Sequence, residues 1–243
     1  MQPTIAAVLF DLYGTLVPRP GPEVRTRRRT TLARLLGCDA ARFTRAFAEY
    51  RDERLLGTAG STPQVLQTVA RTAGGSVDEK AVRAAASRVH EWTRRDVTLA
   101  PDVQSMLRIL RAHEYRLGLV SDCERDLAEV LPGTVLASLV DAITLSCVTG
   151  IRKPDRHQYA QCAARLEVPL EHCLYVGDGG SDELRGAKDA GATVIHFAMS
   201  DHNPYAAAGA WPGRTARSFA DLRAFVGNPT APQSRRDLHG SED

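Results

Sequence analysis

Residues 5–10 read IAAVLF, an apolar run that stops at Asp11. A run too short for a helix and apolar on both faces predicts a strand buried in a parallel sheet, its carboxyl end delivering Asp11 to a crevice. The same signal returns at 117–120 (LGLV) before Ser121, at 142–145 (AITL), at 173–176 (CLYV) before Gly177 and Asp178, and at 193–197 (TVIHF). Between these runs the apolar positions fall at helical spacing, over 103–112, 156–166 and 182–190. Strands alternating with amphipathic helices predict an α/β fold, a doubly wound parallel sheet whose ligands lie beyond the strands' carboxyl ends.

From about residue 18 to 97 the rhythm changes. Ala, Arg and Leu recur at helical spacing around 30–36, 41–55, 63–73 and 78–93, punctuated by 57–61 and by Gly74-Gly75. An all-helical insertion after the first strand is therefore expected, entered through a hinge at Pro18, Pro20 and Pro22 and left at Ala100-Pro101. The expected organisation is an α/β core of 1–17 and 98–226, a helical segment of 18–97, and a tail of 227–243. The tail has no apolar periodicity and is expected to be disordered.

Composition narrows the partners more than the chemistry. Lys and Arg total 31 against 29 Asp and Glu, so no global field favours nucleic acid or an anionic membrane. Arg25, Arg27, Arg28 and Arg29 form a local run that reads either as a solvated helix face or as a steering patch for phosphate or carboxylate. No stretch approaches the roughly 20 apolar residues of a membrane span. The five cysteines form no CxxC pair and no zinc-ligand spacing, and the first strand is preceded by neither the basic region nor the cleavage site of a signal peptide. A cytoplasmic protein with reduced thiols is expected, a monomer or homodimer acting on a small anionic metabolite.

Four segments at strand ends supply the groups that displacement at an anionic centre needs. Asp11 opens D-L-Y-G-T, where Gly14 permits a tight turn and Thr15 can donate to substrate oxygens. Ser121-Asp122 follows the second strand and offers a hydroxyl to an anion oxygen. Lys153, in G-I-R-K-P-D before a helix opened by Pro154, brings a compact ammonium to neutralise nucleophile and transferred group. Asp178 and Asp182, around the glycines of G-D-G-G-S-D-E, are hard oxygen ligands suited to Mg2+. Singly, Asp11 reads as a turn or cap residue, Lys153 as a surface residue and Asp182 as an N-cap; their convergence carries the argument. Tyr175, His157 and His172 read as packing or surface groups, and Cys123 as a structural thiol. Tyr50, Arg51, Trp92 and Arg94, with the arginine run, are candidates for contacting the leaving group.

In order, FDLYGTL, LVSD, GIRKPD and VGDGGSDELRGAKDAG closely resemble the four motifs of the haloacid dehalogenase-like superfamily, over roughly residues 5 to 200. The resemblance implies a Rossmann-like core with a helical cap between the first two motifs. It also implies a magnesium-dependent hydrolase with Asp11 as nucleophile. The Tyr13 carbonyl and the carboxylates of Asp11 and Asp178 would hold the metal, Asp182 would support it, and Ser121 and Lys153 would bind the transferred group. Phosphatases of the superfamily carry an aspartate two residues after the nucleophile as general acid and base; this chain has Tyr13. A phenol with an ordinary pKa near 10 is a poor base at neutral pH. The substitution is similar to that of the 2-haloacid dehalogenases, whose departing halide needs no proton. Those enzymes need no metal and read S-x-N-x-x-D in the fourth motif, so Asp178 with Asp182 resembles the phosphatase branch. A phosphate monoester is the expected substrate, through an aspartyl-phosphate on Asp11. A 2-haloacid dehalogenase and a binding or regulatory protein without turnover are the alternatives.

Overall fold

The apolar strand before Asp11 lies at the centre of the sheet, where both edges are paired and both faces covered. In the computed structural model, which describes residues 4–75, 78–198 and 211–227, Ala7–Phe10 (β1) has no exposed residue. It is flanked by Arg116–Ser121 (β2) and Cys173–Gly177 (β4), both parallel to it, with Phe10 opposite Leu119 and Val176. Ala142–Leu145 (β3), Thr193–Phe197 (β5) and Arg214–Ala216 (β6) complete a six-stranded sheet of order β3-β2-β1-β4-β5-β6, parallel throughout. The chain leaves β1 toward β2 on one side and reaches β4 on the other, so the topology reverses beside β1, where open α/β sheets bind ligands.

Each face of the sheet has its own core. Phe10, Leu107, Leu119, Leu136, Val176 and Phe197 pack on one side, under Pro101–Ala112 (α6) and Phe219–Gly227 (α12). On the other, Leu9, Tyr159, Cys162, Tyr175 and Ala187 pack under Arg156–Arg165 (α10) and Glu183–Ala190 (α11). Between β2 and α10 the chain adds three short helices that no periodicity announced: Arg125–Val130 (α7), Val135–Leu139 (α8) and Ser146–Thr149 (α9).

The residues after β1 form the expected helical region: Pro22–Leu35 (α1), Ala40–Glu49 (α2), Arg51–Leu55 (α3), Thr62–Thr72 (α4) and Glu79–Asp96 (α5). Their starts are chemically marked. Asp39 and Asp78 accept from the backbone N–H of Arg42 and Ala81, and Gln64 accepts from the N–H of Ser61. Pro22, the last of the three prolines in the connecting segment, opens α1, where its missing N–H costs nothing. The helix expected over 41–55 is two, broken at Tyr50, whose ψ of 22° leaves the helical range. A separate core of Leu36, Phe43, Leu66, Val69 and Ala85 holds these helices together.

The helical region meets the sheet domain through α5 on α7. His90 lies 2.6 Å from Glu129, which also accepts from the Thr62 N–H, and the Thr93 hydroxyl donates to Asp126. The tail beyond Gly227 lies outside the described residues. Among the described residues no helix is long and apolar enough to cross a membrane.

Candidate active site

The continuous apolar strands put their polar residues at one end of the sheet. Asp11 follows β1, Ser121 ends β2 and Asp178 follows β4, and all three are buried. Lys153 arrives from the loop after β3 and α9, anchored where its own N–H donates to Asp122 Oδ1 at 3.0 Å. Pro154 stands ahead of helix α10 rather than inside it; Asp155 caps that helix, accepting from the His157 N–H.

At the centre, the Lys153 ammonium donates to Asp11 Oδ1 and Glu183 Oε2, each at 2.6 Å. The Tyr175 hydroxyl donates to the same Glu183 oxygen at 2.7 Å, and Lys153 reaches the Tyr175 oxygen at 3.4 Å. Thr15 donates to the other oxygen of Asp11 at 3.3 Å. Burial opposes the ammonium, yet the facing charges of Asp11 and Glu183 raise Lys153 well above an ordinary lysine, and it is charged at every physiological pH. Glu183 is itself pushed up by burial and by Asp11, against the pull of Lys153. Asp178 rises for the same two reasons. The phenol of Tyr13 is kept protonated, above all by burial and then by the negative charges of Asp126 and Asp96.

Asp11, Asp178 and Glu183 each offer an oxygen within 4.8 Å of the others. Hard carboxylate oxygens in a buried group of three, with one ammonium among them, fit a divalent cation. The Tyr13 carbonyl is close by, since Arg19 donates to it at 2.9 Å and also reaches Asp178 Oδ2 at 3.5 Å. Asp182 is not in the group. Ser181 and Asp182 both adopt left-handed backbone conformations, with φ of 55° and 54°. That turn sends the Asp182 side chain outward, 59% exposed near Arg185, and Glu183 inward, 1% exposed. Tyr175, read from the sequence as a packing residue, is a hydrogen-bonding member of the site. Glu183 and Arg19 had no motif-independent signal.

Gly14 is required sterically. With φ of 98°, it sits where an added Cβ would lie 2.0 Å from Asp178 Oδ2. Gly14→Ala is expected to lower stability by about 2 kcal/mol or more, from left-handed strain and displacement of the carboxylate. Urea denaturation checks this; a loss below about 0.5 kcal/mol would mean that the turn and Asp178 are not in contact.

Against known proteins, a family model described as haloacid dehalogenase-like hydrolase matches residues 5–191. The chain is 29% identical over 198 residues to a glyceraldehyde 3-phosphate phosphatase of Methanopyrus kandleri, an alignment spanning 79% of this chain and 84% of that one. Among solved structures, a 2-haloacid dehalogenase from Pseudomonas syringae superposes with a TM-score of 0.69 at 22% identity, covering 93% of this chain and 100% of that one. A phosphatase from Thermococcus onnurineus gives 0.64 at 20% identity, with 92% and 98% covered. At these identities the two structures speak for the fold, and both activities occur on it.

Proposed function

The chain belongs to the haloacid dehalogenase-like hydrolases, and from that premise we propose that it hydrolyses a small phosphate monoester through covalent attack by Asp11. One observation carries this reading over its rival: Asp178 and Glu183 bring two further carboxylates to Asp11, three buried acids within 4.8 Å of one another against the Lys153 ammonium and a half-exposed Arg19, a set of hard oxygens suited to a divalent cation. The similarity to the Methanopyrus phosphatase points the same way.

The Asp11 carboxylate attacks phosphorus as the alkoxide leaves, forming an aspartyl-phosphate; water then opens that acyl phosphate, releasing inorganic phosphate and regenerating Asp11. Lys153 stays charged throughout, orients Asp11 through their hydrogen bond, and offsets charge on the transferred group. Ser121 and Thr15 are the hydroxyls for the phosphoryl oxygens, while Asp122 positions Lys153 through its backbone. Mg2+, held by Asp11, Asp178 and the Tyr13 carbonyl, would supply Lewis-acid stabilisation of the phosphoryl charge. Glu183 takes the supporting role that the sequence assigned to Asp182, through its grip on Lys153 and on the Gly179 N–H at 3.0 Å.

Tyr13 favours a second reading. Its phenol is held protonated by burial and by neighbouring carboxylates, which makes it a poor acid or base for a leaving alcohol, as suits halide departure in a 2-haloacid dehalogenase. A substrate panel with magnesium and with chelator separates the two. Phosphate release that requires the metal and is greatest for good leaving groups such as p-nitrophenyl phosphate is expected. Chloride from 2-chloropropionate in chelator, with every phosphate ester inert, would overturn the phosphatase reading.

A further inference from the structure

The helical region and α7 enclose a cavity of about 230 Å3 that none of the catalytic groups explains. It adjoins the site along the chain at three points. Pro20 in its wall follows Arg19, which touches Asp178; Glu124 lies just past Ser121; and the charges of Asp126 and Glu124, both lining residues, act on the Tyr13 phenol.

Its lining is unusual in charge. Arg25, Arg28, Arg29, Arg54 and Arg125 face only Glu124 and Asp126 across an apolar floor that includes Phe47 and Trp92. Arg28 is satisfied elsewhere, by Asp96 at 2.5 and 2.7 Å. Arg54 is the telling residue. It is 4% exposed, pairs with Glu124, donates to the Phe47 carbonyl at 2.9 Å and stacks over the Phe47 ring at 3.6 Å, yet among the described residues its Nε has no hydrogen-bond partner. A buried guanidinium with an unused donor is costly unless something accepts from it. Arg29 also lies over that ring, at 5.4 Å, and its own guanidinium is made less basic by burial and by the neighbouring Arg54 and Arg25. Like charges are thus held together here beyond what Glu124 and Asp126 offset. Of the leaving-group candidates read from the sequence, Arg25, Arg28, Arg29 and Trp92 line this space, whereas Arg27, Tyr50, Arg51 and Arg94 do not.

We propose that this cavity is a second oxyanion subsite, in which Arg54 and Arg29 bind a carboxylate or phosphate on the leaving-group end of the substrate. The inference rests on the reading of the neighbouring site as the hydrolytic centre, and makes the substrate a small phosphate ester with a second anionic group. Planar guanidinium donors suit both anions, and the floor of Phe47 and Trp92 suits a short carbon chain between them. Glu124 then acts as the resident counter-ion that the substrate anion displaces from Arg54.

Calorimetric titration with non-hydrolysable probes tests this apart from turnover. In magnesium buffer, 3-phosphonopropionate and 1,3-propanediphosphonate should each bind about 10-fold or more tighter than propylphosphonate, the value of a charge-assisted hydrogen bond in a buried setting. Which of the two binds more tightly identifies the anion. Arg54→Met and, should that variant not fold, Arg29→Gln should erase most of the difference, while Glu124→Gln should widen it. Equal affinity for all three probes, or a difference that Arg29→Gln and Glu124→Gln leave unchanged, overturns the subsite. A probe difference that obeys these variants in a protein inert toward every phosphate ester would retain the subsite and sink the phosphatase reading alone.

Discussion

Asp11→Asn is expected to abolish turnover, by about 10⁴-fold or more, while leaving the protein as stable as before or more so. The two effects have one cause. Asp11 is buried against Lys153 and within reach of Asp178 and Glu183, and its charge helps push both of those carboxyls above their usual values. Removing that charge removes the nucleophile and the repulsion together. A carboxyl raised in the folded state keeps its proton where the unfolded chain has lost it, so the wild type loses stability as pH rises from about 4 through the raised values. Asp11→Asn should flatten that loss, gaining more over wild type at pH 8 than at pH 5. Steady-state hydrolysis with urea denaturation at both pH values measures this. Residual activity near wild type would refute covalent attack, and a large loss of stability would show that Asp11 is structural.

Lys153→Met should be the most destabilising single change in the site, costing about 3–5 kcal/mol at pH 8. The ammonium is the shared partner of Asp11 and Glu183, both buried, and methionine leaves the two carboxylates facing each other with no cation between them, their remaining donors being the Tyr175 hydroxyl and Gly179 N–H on Glu183 and the Thr15 hydroxyl on Asp11. Without the ammonium the Glu183 carboxyl moves further up. Its folded value then exceeds its unfolded one by more, and stability falls more steeply with rising pH than in the wild type. The deficit should therefore shrink toward pH 5, where these carboxyls take up protons. Chemical denaturation across that range tests it. A deficit independent of pH would mean that Lys153 contributes packing rather than charge compensation. Turnover should fall as well, by about 10²- to 10³-fold, because the charge on the transferred group loses its donor.

Much of this site was legible because buried parallel strands are written as unbroken apolar runs, so the polar residue after each run marks the sheet's functional edge. Asp11, Ser121 and Asp178 follow that rule directly. Strand β6 escaped because Arg-Thr-Ala carries no apolar run, and α7, α8 and α9 because helices of six residues or fewer are too short to display a period. Glu183 was hidden by backbone conformation rather than composition. Helical spacing from Asp178 favours Asp182, but two successive left-handed residues, uncommon without glycine, turn the next side chain inward instead. Arg54 was hidden because one arginine in an arginine-rich segment looks like any other until tertiary packing buries it, and Arg19 because only the fold brings it beside Asp178.

The central position of β1 also bears on how the chain is made. Ala7 pairs with Arg116 and with Cys173, so the strand that carries Asp11 leaves the ribosome about 110 residues before one neighbour and about 165 before the other. At a synthesis rate of about 5–20 residues per second, that is a wait of several seconds or more for an apolar segment with both edges open. The helices that follow β1 have a core of their own with mostly nearby partners, the kind of contacts that form early. They give the nascent chain a folded body while its first strand awaits its ladder, and slow translation between β2 and β4 should lengthen the interval in which that strand is open to aggregation or to a chaperone.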